Sequence, residues 1–391
     1  MRLIKKIASK YKVHGIKWIF QRIFRELCAP KNFLMEVLAK IAKFFLYWGV
    51  IKPIDRKLAN KLLSALTVND ALLLIYDLSV EPVTYNFIFP LVIAGYQAQK
   101  KKLPYVDVLL IKGDHHNLRE EEADYEASCS VQARHWRVQS ILFGSMHLLP
   151  NFRHLFYVNQ QEARDYLQRY PHRYPKYYTL TAPVVYFPRE VLVSDPRIRC
   201  LRADEQSLHM MHQWLNIRSR GRSVITITLR QSSYCPDRNS HIAQWLDFAK
   251  SLDASKYYVV FVPDTETYAS YLQSCLDGFD CCTEACISVL LRMALYELSL
   301  LCLGINNGPM SLCWFNEKCN YRMFKIVTES VAQTTQKVLL QNGLVFGKNP
   351  AFAREKDQLW VWCDDESSVI NSMVSQFLSE KKEASLVELN L

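Results

Sequence analysis

Residues 301–314 read LCLGINNGPMSLCW. The first five are apolar, a run suited to a strand buried on both faces, as in parallel sheets. Asn306 and Asn307 end that run, Gly308 follows, and Pro309 fits a first helical turn, where its missing N–H costs nothing. Strand, Gly-Pro turn and helix in direct succession is the unit from which parallel α/β sheets are wound. Gly308 lets the backbone approach a ligand closely, and free N–H groups with the helix dipole favour an anion there. The stretch therefore reads either as a diphosphate cradle made by Asn306, Asn307, Gly308, Pro309, Met310 and Ser311, or as an ordinary capped turn.

The same alternation continues outward. Residues 224–229 and 257–262 read as strands around a helix at 240–252, and a helix at 287–298 leads into the strand at 300–305. Toward the N-terminus, strands are expected at 71–76, 106–111 and 154–158, with helices at 87–99, 119–145 and 160–169. Residues 171–200 are rich in Pro and Tyr and read as irregular, and 203–218 read as a helix bridging two domains. The expectation is an α/β protein with two Rossmann-like doubly wound domains facing a cleft, at 66–200 and 201–350. Residues 1–65 precede them as a basic amphipathic segment. Residues 351–391 follow as a return segment and polar tail, with 351–380 crossing back onto the first domain.

Ligand-bearing residues are sought where strands end. Just past the strand at 224–229 lies Arg230, and Arg238 and Asn239 sit near the next helix start. Two guanidiniums there would hold a phosphate bidentately, although Arg238 could equally pair with Asp237 or Asp264. Asp264 and Thr265 follow the strand at 257–262 and read as ribose contacts or as a helix N-cap. In the first unit, Glu81, Asp114 and His115 lie at strand ends and are candidates for a general base.

Composition excludes several classes. The chain has 391 residues, half of them hydrophobic, and 12 cysteines with no C-x-x-C pair. Zinc spacing is thus missing, no metal site is expected, and reduced buried thiols are the reading. The net charge of +10 would suit a nucleic-acid partner if it were spread out, but residues 1–65 carry 15 Lys/Arg against 3 acids. The remainder is close to neutral, so no nucleic acid is expected. Ile4, Ile7, Ile16, Ile19, Phe20 and Ile23 recur at helical spacing among lysines and arginines, and no run of about 18 uncharged apolar residues occurs. This pattern suits an anionic membrane surface, met by residues 1–50, or packing on the protein's own domains. G-x-G-x-x-G, P-loop, G-x-S-x-G and kinase motifs are absent.

LGINNGPMSLCW resembles the G-N-x-x-G-P-x-x-L-A element of bacterial GT-B glycosyltransferases of the heptosyltransferase type. ITLR followed by PDRNS is similar in placement to the arginine-bearing loop of fucosyltransferase-like GT-B enzymes. Together with VVFVPDT and LWVWCDD, these stretches also resemble a surface-polysaccharide-associated bacterial family. The resemblance implies transfer of a sugar from a nucleotide-sugar co-substrate to a cell-surface glycan or lipid-linked acceptor, with no metal or other cofactor. It implies that Arg230, Arg238 and the 306–311 turn face the leaving diphosphate, with Asp264 and Thr265 nearby. The reduced cysteines and the basic N-terminal segment point to a cytoplasmic enzyme, peripheral at the inner face of the membrane. A non-catalytic scaffold of the same fold and a nucleotide-sugar epimerase are the alternatives.

Overall fold

The run ALLLIYD forms strand β1, Ala71–Asp77, and all seven residues are buried. In the computed structural model, which describes residues 67–183, 188–271 and 276–389, this strand is the centre of a first sheet. The basic segment expected at 1–65 lies outside the described residues. Strand β2, Tyr105–Ile111, and strand β3, Phe152–Val158, extend the sheet on one side, and the short β4, Arg173–Tyr174, pairs on the other. The order is β3-β2-β1-β4 with every pairing parallel. The helix Ile88–Lys100 returns the chain from β1 to β2. The helix Gln160–Arg169 follows β3, and Asn159 and Glu162 close a capping box at its start.

The second sheet contains β5, Ser223–Thr228, β6, Tyr257–Val262, β7, Asp280–Cys281, β8, Leu301–Ile305, β9, Tyr321–Phe324, and β10, Gln358–Trp360. Its order is β10-β9-β8-β5-β6-β7, again all parallel. The threonines of β5 are buried against the helix Val289–Leu298 and its C-terminal end, where Thr226 Oγ1 meets Ser299 Oγ at 2.6 Å and Thr228 Oγ1 meets Tyr296 OH at 2.7 Å. Buried hydroxyls paired in this way avoid the desolvation cost of an unmet donor. The expected α/β class, two doubly wound parallel sheets, is the one found.

One apolar cluster joins the two sheets. Phe89 of the first lobe packs on Trp314 and Phe315 of the second, with ring centroids 6.0 and 5.9 Å apart.

Three expectations need correction. The helix expected at 119–145 is broken into Ala123–Ser128, Val131–Arg137, a π-helical turn Val138–Phe143 and Gly144–Met146, with Ser130 capping the second piece. Residues 351–380 do not cross back as a unit. Phe352 joins the shared core, but β10 completes the second sheet. The helix Ser367–Leu389 then buries Ile370, Val374 and Phe377 with Trp245 and Phe248 of the helix Ile242–Ser251. That helix also carries Lys381, Lys382 and Glu383, where a polar tail was expected. Among the described residues the cysteines are free thiols, most of them buried, and no helix is long and apolar enough to cross a membrane.

Candidate active site

In each sheet the strand order reverses once, between β1 and β4 and between β5 and β8. Loops leaving the carboxyl ends of strands at such reversals splay apart and leave a crevice. β5 and β8 pair with Thr228 opposite Gly304, so Arg230 and Asn306, each two residues further on, leave the sheet side by side. Arg238 Nη2 donates to Asn306 O at 3.0 Å, tying the loop after β5 to the turn after β8. The loop after β1 is held by Asp77, which accepts from Ser79 N at 2.9 Å and Tyr178 OH at 2.6 Å. It delivers Glu81. A cleft of about 750 Å³ lies among these loops, lined by Glu81, Tyr85, Tyr125 and Arg137 from the first lobe. Arg230, Arg238, Asp264, Thr265, Arg292, Asn306, Asn307, Gly308 and Pro309 line it from the second.

Four of the lining arginines make no ion pair among the described residues. Arg230 is 8 % exposed and clips its own loop, with Nη2 donating to Tyr234 O at 2.5 Å and Nη1 to Cys235 O at 3.0 Å and to Asn239 Oδ1. Burial lowers its pKa. Burial also lowers that of Arg238, and the neighbouring Arg230 charge lowers it further. Arg292, 2 % exposed, donates to Ala285 O at 2.8 Å and Cys286 O at 3.2 Å, with Tyr296 OH at 3.5 Å. Arg137 Nη1 donates to Tyr125 OH at 2.8 Å. Carbonyl and hydroxyl oxygens take these donors, and the carboxylates Glu81, Glu121, Asp264 and Glu266 line the same cleft without forming an ion pair with any of the four among the described residues. Asn307 Nδ2 is buried with no acceptor among the described residues, while Asn307 Oδ1 takes Met310 N at 3.1 Å.

The carboxylates of the second lobe mostly shape the arginine loop. Asp264 Oδ2 accepts from Gln231 N at 3.0 Å and Asp264 Oδ1 from Thr265 Oγ1 at 3.2 Å. Glu266 accepts from Ser232 Oγ at 2.5 Å and Ser233 N at 2.7 Å. Partial burial pushes the Glu266 pKa up, but these donors outweigh it and leave it below the usual value. Tyr125 and Tyr234 meet edge to face across the lobes at 5.0 Å, and burial raises the Tyr125 pKa to about 12.

Of the residues singled out in the sequence, Glu81, Arg230, Arg238, Asp264, Thr265, Asn306, Asn307, Gly308 and Pro309 share the cleft. Asp114 and His115 do not line it. They follow β2, which is not at a strand-order reversal, and His115 Nε2 lies 3.6 Å from Glu126 Oε1. Asn239 stays behind the loop, where its Oδ1 accepts from Arg230 and Ser232 N. Met310 is fully buried, and Ser311 Oγ donates to Gly308 O at 2.7 Å, so the extra donor expected from Ser311 is already engaged inside the turn. Sequence reasoning missed Arg292, Arg137 and Tyr85. Arg292 was signalled by its position in the otherwise apolar run VLLRMAL; Arg137 and Tyr85 carried no comparable signal. Among the described residues no group of His, Cys, Asp and Glu is arranged to hold a metal ion.

No family model matches the chain, and no curated protein matches it. Solved structures similar to it include the following two. One is the glycosyl transferase family 9 from Veillonella parvula DSM 2008, 8 % identical with a TM-score of 0.44, covering 80 % of this chain and 98 % of that one. The other is E. coli ADP-heptose lps heptosyltransferase II, 9 % identical with a TM-score of 0.47, covering 80 % of this chain and 99 % of that one.

Proposed function

We propose that the cleft binds a nucleotide sugar and transfers its sugar to a cell-surface glycan or lipid-linked acceptor. The observation that carries this reading is the set of arginines 137, 230, 238 and 292, which converge on one cleft without a carboxylate partner among the described residues. A diphosphate would give them the direct ionic partner that the cleft's own carboxylates do not. The orphan Asn307 Nδ2 adds a donor beside it. In the reaction, an acceptor hydroxyl attacks the anomeric carbon, the bond from that carbon to the β-phosphate oxygen breaks, and the nucleoside diphosphate leaves with the electron pair. Arg238 and Arg292 offset the charge that grows on the leaving group, and Glu81 takes the hydroxyl proton. No metal is assigned a role. The N-terminal basic segment holds the enzyme at the inner face of the membrane.

Calorimetry of the full chain against UDP, GDP, ADP and CMP sugars tests the reading, and silence across all of them removes it. Loss of residues 1–50 should release the chain from anionic vesicles, and unchanged binding would remove the membrane part. One observation favours a second reading, a non-catalytic scaffold of the same fold. Arg230 is engaged by its own loop, and Tyr85 covers Gly308. The same titrations separate the two.

A further inference from the structure

The cleft has a second half with different chemistry. Beyond the Asn306–Gly308 turn its wall is mostly apolar and aromatic, with Phe89, Leu192, Trp314, Val338, Leu344 and Trp360, and the polar Gln333, Thr334 and Asn342 stand among them. The rings are contiguous: Trp314 lies 5.0 Å from Trp360 and 6.0 Å from Phe89. Both lobes contribute, with Leu192 reaching close enough to Gly343 that a Cβ there would come within 2.7 Å of it. Trp314 Nε1 is buried, lines this half and has no acceptor among the described residues. The segment from Asn306 to Trp314 is the joint, with polar groups on the arginine side and an indole on the other.

The same wall reaches the surface. On the stretch after the helix start at Gln336, Val338, Leu339 and Leu344 turn toward the cleft, while Leu340, Val345 and Phe346 are 60, 44 and 51 % exposed. Residues 330–354 include Lys337, Lys348 and Arg354 and no Asp or Glu. Exposed apolar side chains beside Lys337 and Lys348 suit an anionic lipid surface, while Glu329 accepts from Gln336 N at the helix start and Arg354 lies 3.4 Å from Asp357.

We infer that the apolar half of the cleft holds the hydrocarbon chain of an amphiphilic acceptor whose phosphate lies against the arginine half. The occupant's chemistry follows from continuity: one cavity offers four guanidiniums with no direct ion pair among the described residues at one end and aromatic surface at the other, matching a chain joined to an anionic head. Trp314 Nε1 then donates to an oxygen at the junction. The inference rests on the reading of this cleft as the transfer site and names the acceptor class.

Calorimetry on the full-length protein, below the probes' micelle concentrations, compares farnesyl phosphate, dodecyl phosphate, ethyl phosphate and an uncharged dodecyl glycoside. Both chain-bearing phosphates should bind at least about tenfold more tightly than ethyl phosphate, since each buried methylene adds affinity. The tighter of the two tells a branched isoprenoid from a straight acyl-type chain. Val338→Glu and Leu344→Glu should abolish the chain-dependent gain. If both variants lose their fold by circular dichroism, the wild-type comparison decides alone. Farnesyl and dodecyl phosphate binding no tighter than ethyl phosphate overturns the inference, as does a dodecyl glycoside binding as tightly as dodecyl phosphate. Nucleotide titrations report the transfer reading separately. Nucleotide binding without a chain effect overturns only the acceptor assignment, whereas a chain effect without nucleotide binding keeps the amphiphile site and overturns the transferase.

Discussion

Tyr85 of the first lobe lies directly on Gly308 of the second: a Cβ on Gly308 would come within 3.0 Å of Tyr85 Cβ and of Tyr85 Cδ2. Glycine is thus required at the turn because the opposite lobe approaches there. The contacting atom nearest the backbone, Tyr85 Cβ, cannot swing away, so the lobes themselves must part. Gly308→Ala should cost about 1–3 kcal/mol, the usual range for overpacking, and lower the melting temperature by several degrees. Differential scanning calorimetry checks this. An unchanged melting temperature would mean that the seam between the lobes yields freely.

Arg230 and Arg238 separate stability from binding. Arg230 is nearly buried and holds three acceptors of its own loop. Arg230→Ala should therefore lower the melting temperature as well as nucleotide affinity. Arg238 is half-buried, and among the described residues its guanidinium donates to Asn306 O alone. Arg238→Ala should weaken nucleoside diphosphate binding roughly 10- to 100-fold, the value of a hydrogen bond to a charged group, with little change in melting. Paired calorimetric titrations and melts of the two variants read the contrast, and equal losses of affinity and stability in Arg238→Ala would contradict the assignment.

How much of this was legible in the sequence depends on the kind of residue. Runs rich in apolar and β-branched residues marked β1, β2, β5, β6 and β8, although Asp107 interrupts β2 and two threonines β5. Their ends pointed to Arg230, Arg238 and Gly308. Strands β4, β7 and β9 have two to four residues, too short for a period to show. Asp114 and His115 were misplaced relative to the cleft because strand order, not strand identity, decides which loops face a crevice, and order is a long-range property. Tyr85 is likewise invisible locally: its role comes from a glycine more than 200 positions away.

Glu266 makes the arginine loop sensitive to acid. Its carboxylate holds Ser232 Oγ and Ser233 N, and its folded pKa lies below the ordinary value of 4.5. A depressed carboxylate contributes stability that is complete above the unfolded pKa and is lost as pH falls through the folded one. Wild type should therefore exceed Glu266→Gln in melting temperature at pH 7, with the gap closing as pH drops below about 4.5. Melts of both proteins between pH 7 and 3 measure it. A gap that stays constant or widens on acidification would assign the loop's hold to other groups.

Glu81 is the one base candidate from the sequence that lines the cleft, 6 % exposed and placed by the Asp77-anchored loop after β1. Asp114 and His115 stand away from it, so proton removal from the acceptor falls to this carboxylate. Glu81→Gln keeps the shape and the hydrogen-bonding capacity and removes only the basicity. It should slow transfer by about 10²- to 10⁴-fold, the range for general-base loss. Nucleotide affinity should hold, because the diphosphate is bound by arginines 137, 230, 238 and 292 rather than by this carboxylate. Single-turnover transfer measured beside nucleotide titration separates the two effects. A Glu81→Gln enzyme within a few-fold of wild type would move the base to another group facing the cleft, and one that loses nucleotide affinity as well would show that Glu81 shapes the site rather than acting in the chemistry.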